Sequence, residues 1–541
     1  MALSEINLKR LLTGVGLLLL TAFYSPAFLL TLAPVYGAVP PTIFHSYGLA
    51  IAAACGWFLK DRLQQISRRQ AIFLVPVLAF WVPTIQYVLF QMSSSFGNPT
   101  GPIVTEIFAF YPLVILSVGC AAKLIQSGSN LARHGDVVAE HVPLLGSYII
   151  YSVGENFAHF FISECIGFTF FLTRSGLQFL LAILYSALVP SKWIALAIPS
   201  ILFSLTSNVH VPLGALTGVL NSAIQTEGYT MLARQDSSTG YISVLENNNE
   251  GFRVMRCDHS LLGGEWTQMP ANYNPIVRDP VYSVFVMLEA VRLVEPEHGE
   301  PRNDKNSKAL VIGLGVGSTP AALINHGIET TIVEIDPVVH QFATQFFHLP
   351  ANHIAAIEDA TTFVERSRNS PKYDYIVHDV FTGGAEPAEL FTFEFLSGLD
   401  SLLKPDGAIA INYAGDITLP SARLIVRTIQ YVFPTCRIFR ENADSSDNFI
   451  NMIIFCKKSS ATPLRFRDPV PADFLGSKSR EAYLMPKHEI NPAIFEGIEK
   501  GGRHVLRKNE IARLRKFQDR NAIAHWRIMR EVVPDKVWEN W

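Results

Sequence analysis

The sequence predicts a chain in two parts: a multi-pass α-helical membrane domain, then a small β-sheet that leads into an open α/β domain. Three observations predict it. Long apolar runs fill the chain up to about residue 224, and alternating apolar and polar residues follow at 239–266. The stretch "ALVIGLGVGSTPAALINHGIETTIVEIDP" at 309–337 then reads as a strand, a glycine turn, a helix and a second strand ending in an acid. At 541 residues the chain is too long for one ordinary domain. The net charge of -3 leaves no electrostatic footprint for a nucleic acid, so none is expected as a partner. A mean hydropathy of +0.24 with 17% charged residues is high for a soluble protein.

The apolar runs lie at 11–32, 47–59, 71–92, 102–125, 145–166, 168–189 and 193–211, against the roughly 20 residues that a bilayer asks of a helix. They predict six or seven spans and a lipid bilayer as partner. Lys9 and Arg10 precede the first run, Lys60 and Arg62 follow the second, and the loops at 33–40 and 93–101 carry neither residue type. That asymmetry predicts a cytoplasmic amino terminus. A cytosolic catalytic domain then requires an even number of spans. Glu155, His159 and Glu164 interrupt an apolar run, with Glu155 and His159 on one helix face; bonding between helices outweighs a functional site here. The six cysteines form no CxxC pair, so neither a metal site nor a disulfide framework is expected.

The segment at 239–266 predicts a hairpin turning at Asn247–Gly251 and further short strands. A helix is expected over 281–294. The strand-and-helix alternation follows, so the boundaries read as 1–224 for the helical domain, 225–300 for the small sheet and linking helix, 301–460 for the α/β domain and 461–541 for a tail. The tail ends in a basic helix with apolar positions at Val505, Ile511, Leu514, Phe517, Ile523 and Trp526. These drift around the helix axis, which favours packing on the catalytic domain over lying on a membrane surface.

The chemistry concentrates after residue 309. Gly313, Gly315 and Gly317 sit at alternate positions between an apolar strand and a helix, where missing Cβ atoms let the backbone approach a ligand. Glu334, about 20 residues on, ends the second strand and is placed to accept from ribose hydroxyls. The spacing is GxGxG, so the nicotinamide fingerprint GxGxxG is incomplete. Asp359 closes a third strand, and Asp379 is carried to the end of a fourth, where open α/β sheets hold their ligands. By strand alternation His378 points the other way and reads as packing. His259, Glu265 and Trp266 are candidates for an acceptor pocket or for a packed turn.

From about residue 238 to 456, some two fifths of the chain, these segments resemble the spermidine synthase family of polyamine aminopropyltransferases. "YISVLE" and "FRVMRCD" are similar to its opening hairpin, "VIGLGVGS" to its glycine turn and "VEIDP" to its ribose-binding acid. "EDATTF" is similar to its adenine-contacting segment, and "YDYIVHDVFTGGAEPAELFTFEFL" to its catalytic strand and closing loop. The resemblance implies a class I methyltransferase-like (Rossmann) domain, with Glu334 on ribose, Asp359 on the adenine amino group and Asp379 as general base. It implies decarboxylated S-adenosylmethionine or S-adenosylmethionine as co-substrate, with no tightly bound cofactor, and a small amine as acceptor. A membrane bundle before such a domain resembles the membrane-fused branch of the family, and a homo-oligomer is compatible with it.

Three departures bear on that reading. Thr382, Val316 and the pair Thr239–Gly240 stand where the family carries an acid, an acid and Tyr-Gln. Each change removes negative or polar character from a site meant for cations. The first expectation is aminopropyl transfer to an amine by a multi-pass membrane protein. The alternatives are an S-adenosylmethionine-dependent methyltransferase with a lipophilic acceptor, which the lost acids favour, and a non-catalytic nucleoside sensor.

Overall fold

The computed structural model describes residues 7–66, 70–129, 131, 135–297, 302–368, 372–380, 387–441, 443, 448–459, 461–495 and 505–541. The chain divides into two units: Met1–Glu227 with Arg234–Tyr241 and Arg530–Trp541, and Gly228–Ala233 with Ile242–Met529. The expected tail at 461–541 is therefore shared between them.

Among the described residues of the helical unit, five stretches are long and apolar enough to cross a membrane by length and composition: Leu8–Tyr36, Pro40–Leu63, Ala71–Phe90, Thr100–Ser129 and Asp136–Cys165. The last two expected spans are the shorter helices Arg174–Leu188 and Lys192–Thr206. The first of these starts late because Thr173 caps it, accepting from the Gly176 amide at 3.1 Å. The second stops before Asn208, whose side chain accepts from the His210 amide at 3.1 Å and turns the chain. Leu17, Tyr24, Phe28 and Phe110 are buried at the centre of this unit, with Phe28 stacked on Phe110 at 4.8 Å. Arg174 and Asp236 form a buried ion pair, and Arg174 Nε also donates to the Leu30 carbonyl at 3.0 Å. Trp541 stacks on His210 at 4.7 Å.

Four strands follow, β1 (Tyr229–Asp236), β2 (Tyr241–Asn247), β3 (Phe252–Cys257) and β4 (Ser260–Trp266), paired in that order; all but Arg234–Asp236 of β1 and Tyr241 of β2 belong to the second unit. The expected helix over 281–294 is shorter: Val284–Leu288 is α-helical, and Glu289–Leu293 tightens to a 3-10 turn. There the Glu289 carboxylate accepts from Nε and Nη2 of the buried Arg480, both at 2.9 Å, which fixes this stretch to a later segment of the chain.

The main sheet adds β5 (Lys308–Ile312), β6 (Glu329–Glu334), β7 (Ile354–Ile357), β8 (Tyr373–His378), β9 (Leu403–Asp416), β10 (Thr435–Arg440), β11 (Phe449–Lys457) and β12 (His488–Ile490). Their order is β12-β10-β11-β9-β8-β5-β6-β7. The five strands β5 to β9 run parallel; β7 at the edge is largely exposed, whereas β5 lies buried between β6 and β8 and reads as continuous apolar sequence. Register decides where the acids go. Ile312 pairs with Val333 on one side and His378 on the other, and Glu334 pairs with Ile357. Glu334, Asp359 and Asp379 therefore leave the sheet at the same edge.

One expectation is corrected here. Cys436 and Cys456, scattered in sequence, face each other across β10 and β11 and form a disulfide. Spacing conceals the pair because only antiparallel register brings it together. In the carboxyl-terminal helix Arg515–Val532, Trp526 stacks on His259 at 5.7 Å and His525 Nε2 lies 3.1 Å from Ser260 Oγ. This end of the helix packs on the turn between β3 and β4.

Candidate active site

The site is built on the glycine turn. Gly313, Gly315 and Gly317 all have positive φ, at 87°, 55° and 85°. A Cβ on Gly313 would stand 2.1 Å from the Asp379 carbonyl oxygen, and one on Gly315 would stand 2.5 Å from the Leu262 carbonyl oxygen. Only glycine allows both the conformation and the approach. Asp379 is fastened to the same turn, since its amide donates to the Ile312 carbonyl at 2.8 Å.

Glu334 is buried, and its carboxylate accepts from the Leu314 amide through Oε2 and the Asp336 amide through Oε1, both at 2.9 Å. It thus holds the turn against the end of β6. Burial pushes its carboxyl up to about 7, against the lowering effect of those amides. Each carboxylate oxygen keeps a lone pair for a ribose hydroxyl.

Asp359 caps the helix Ala360–Ser367, with Oδ1 accepting from the Thr362 amide at 3.0 Å and from the Thr361 and Thr362 hydroxyls. Burial raises its carboxyl, and these hydrogen bonds outweigh it, so the group sits below its ordinary range.

Asp379 is half-buried just past β8, and its Oδ1 accepts from Asn412 Nδ2 at 2.8 Å. Burial lifts its carboxyl to about 6, with the Asn412 bond pulling the other way. A carboxylate tuned to that value is a competent base near neutral pH. Sequence reading missed Asn412, although it is the lone polar residue in the apolar run "GAIAIN" of β9.

His378 points into the core: it is fully buried, its Nε2 meets the Leu390 carbonyl at 3.1 Å, and its ring packs on Phe391 at 4.9 Å. Burial lowers it to about 4. Val316 is buried as well, facing Gly263 of β4 so closely that a Cβ there would lie 2.8 Å from Val316 Cγ2. A cleft of about 350 Å³ adjoins the turn, lined by Val316, Gly317, Ser318, Glu265, Arg278 and His348. Within it His348 Nδ1 lies 2.9 Å from Glu265 Oε1. Of the three acceptor-pocket candidates, Glu265 lines this cleft, whereas Trp266 packs on Phe252 at 5.7 Å and His259 on Trp526. Thr382 lies outside the described residues.

Residues 297–461 match the spermine/spermidine synthase domain. The N-terminal histidine N-methyltransferase of Emericella nidulans is 62% identical over 545 residues, which span 98% of this chain and 98% of that protein. The chain belongs to the family of that methyltransferase. More distant relatives match smaller parts of the chain. The polyamine aminopropyltransferase of Vibrio vulnificus is 39% identical over 20% of this chain and 38% of that enzyme. The eEF1A lysine and N-terminal methyltransferase homolog of Drosophila pseudoobscura pseudoobscura is 30% identical over 29% of this chain and 24% of that protein.

Membership of this family makes the chain a transferase with S-adenosylmethionine as co-substrate. Two expectations are corrected. Aminopropyl transfer in polyamine biosynthesis gives way to methyl transfer, because the match that spans the whole chain is to a methyltransferase and the aminopropyltransferase match is local. The integral, multi-pass location also falls, because these relatives are named as an N-terminal histidine N-methyltransferase and an eEF1A lysine and N-terminal methyltransferase homolog. The amino-terminal helices stand as apolar helices by length and composition.

Proposed function

We propose that this protein transfers a methyl group from S-adenosylmethionine to a nitrogen of a polypeptide's amino-terminal histidine. The observation that carries the reading is 62% identity across 98% of the chain to an enzyme named for that reaction. The residues supply a consistent chemistry. The acceptor nitrogen attacks the sulfonium methyl, the new N–C bond forms as the S–C bond breaks, and sulfur keeps the bonding pair. The nitrogen must present a lone pair, so a proton bound to it passes to a carboxylate, a task we assign to Asp379 beside the glycine turn. Asn412 donates to one carboxylate oxygen, Oδ1, and in this reading Oδ2 takes the proton. The sulfonium is already a good leaving group, so positioning accounts for most of the remaining acceleration.

The test offers the full chain S-adenosylmethionine with three peptides that differ only at the first residue: histidine, alanine, and histidine with an acetylated α-amine. Mass spectrometry locates any methyl group. Methylation of the histidine peptide and not of the alanine peptide is the expected result, and the acetylated peptide separates ring nitrogen from α-amine. Equal methylation of the alanine peptide would sink the substrate assignment.

A further inference from the structure

Ser25, His45, Glu106 and Glu155 come from four separate helical segments and meet inside the helical unit as a single hydrogen-bonded chain. Ser25 Oγ donates to Glu155 Oε1 at 2.7 Å and lies 2.8 Å from His45 Nε2. His45 Nδ1 lies 3.0 Å from Glu106 Oε1, and the Tyr111 hydroxyl donates to Glu106 Oε2. The Tyr151 hydroxyl donates to Glu155 Oε1 at 3.1 Å. His45, Glu106 and Ser25 are buried, whereas Glu155 is half-buried, so the chain has one closed end and one open end.

Counting hydrogens shows what such a chain can do. Ser25 has one proton to give and three neighbours, His45, Glu155 and the Tyr151 hydroxyl. In one arrangement Ser25 gives that proton to Glu155, and His45 donates from Nε2 to Ser25 and from Nδ1 to Glu106, as an imidazolium between two carboxylates. In the other, Ser25 donates to His45 Nε2, the imidazole is neutral and a protonated Glu155 donates to the serine oxygen. The two arrangements hold the same number of protons and the same net charge. They differ by one transfer: the His45 Nε2–H bond breaks as a Ser25 O–H bond forms, and the old Ser25 O–H bond breaks as a Glu155 O–H bond forms. Nitrogen keeps its electron pair, and the glutamate oxygen supplies one.

We propose that Glu155–Ser25–His45–Glu106 is a proton relay belonging to the helical unit, with Glu155 as the port and the His45–Glu106 pair as the store. A second feature marks the same place. Glu106 opens a π-helical stretch, Glu106–Phe110, a geometry that helices adopt chiefly in short pieces at functional sites. A bundle needing only adhesion has no reason to bury an imidazole against a carboxylate, since removing such groups from water costs more than packing apolar residues. The titratable groups facing the relay are His45 from the second helix, Glu106 and Tyr111 from the π-helical stretch and the helix after it, and Tyr151 and Glu155 from the helix Asp136–Cys165; the first helix contributes Ser25 alone.

The experiment uses the purified full chain with nitrogen-15 histidine and carbon-13 glutamate. Infrared spectroscopy reads protonated carboxyl, and nuclear magnetic resonance reads the His45 ring nitrogens. The expected result is a protonated-carboxyl component, seen as a difference band between the native chain and Glu155→Gln and again between the native chain and Ser25→Ala, together with His45 shifts that lie between neutral and charged and move to one limit in Ser25→Ala. Ser25→Thr keeps the hydroxyl and should restore both signals. Native His45 shifts fixed at one limit, or a band and shifts unchanged in Ser25→Ala, would overturn the relay. The native His45 shifts decide the matter even where a variant fails to fold.

Discussion

At Asp379, protonation state and role are tied together. Burial holds its carboxyl near 6, so the basic form grows as pH rises through that value, and the methylation rate should rise with it. Asp379→Asn should keep S-adenosylmethionine binding, measured by calorimetry, and lower turnover by about 10²–10⁴-fold, with the pH rise abolished. Retained turnover would remove the general-base role. Glu334 carries a different signature. Its carboxyl moves from an ordinary 4.5 to about 7 on folding, so the folded state favours the proton more than the unfolded chain does. The stability this gives the free protein is complete below about 4.5 and is lost as pH rises through 7. Glu334→Gln should flatten that part of the melting profile, and Glu334→Ala should weaken S-adenosylmethionine binding at least about tenfold, since hydrogen bonds to a charged group are worth about 1.5–3 kcal/mol each. Among single residues, the glycines and Glu334 were legible because turn geometry and strand ends restrict residue type. Asn412 was not, because its partner is 33 residues away and reaches it only through the pairing of β8 with β9.

The element scale shows why the turn tolerates so little. Gly313→Ala would drive a methyl group into the Asp379 carbonyl and force a positive φ on alanine, costing about 1–3 kcal/mol. Turnover should fall further than stability, because the displaced backbone carries the proposed base; thermal melting and rate measurements on one preparation would separate the two. The disulfide between β10 and β11 makes its own prediction. Cys456→Ser should lower unfolding free energy by about 2–3 kcal/mol in denaturant titrations without reductant, and the difference should vanish when reductant is added. Strand type and order near the turn were readable, because apolar runs with turn signals recur at β5, β6 and β8. The shortened helix at Val284–Leu288 was not readable, since its end is set by the bond between Glu289 and Arg480.

On the scale of the whole molecule, composition foresaw a helical part followed by an α/β part, and the number of long helices differs because two apolar runs are broken by Thr173 and Asn208. Function was less legible than fold. The lost acids at 316 and 382 pointed away from polyamines, but neither position specifies a polypeptide terminus as acceptor. The carboxyl-terminal segment is split, with residues up to Met529 in the catalytic unit and Arg530–Trp541 in the helical one. Trp526 is 8% exposed, so Trp526→Ala should destabilise the catalytic unit by about 3 kcal/mol in chemical denaturation.

The bond between Cys436 and Cys456 has a practical consequence for handling the protein. A protease that cuts the chain once anywhere between those two cysteines leaves fragments of about 440–450 and 90–100 residues that remain covalently joined, whatever becomes of the backbone at the cut. On a gel without reductant, nicked and intact protein run together. With reductant the nicked species separates into two bands, so that pair of gels reads both the integrity of the preparation and the state of the bond.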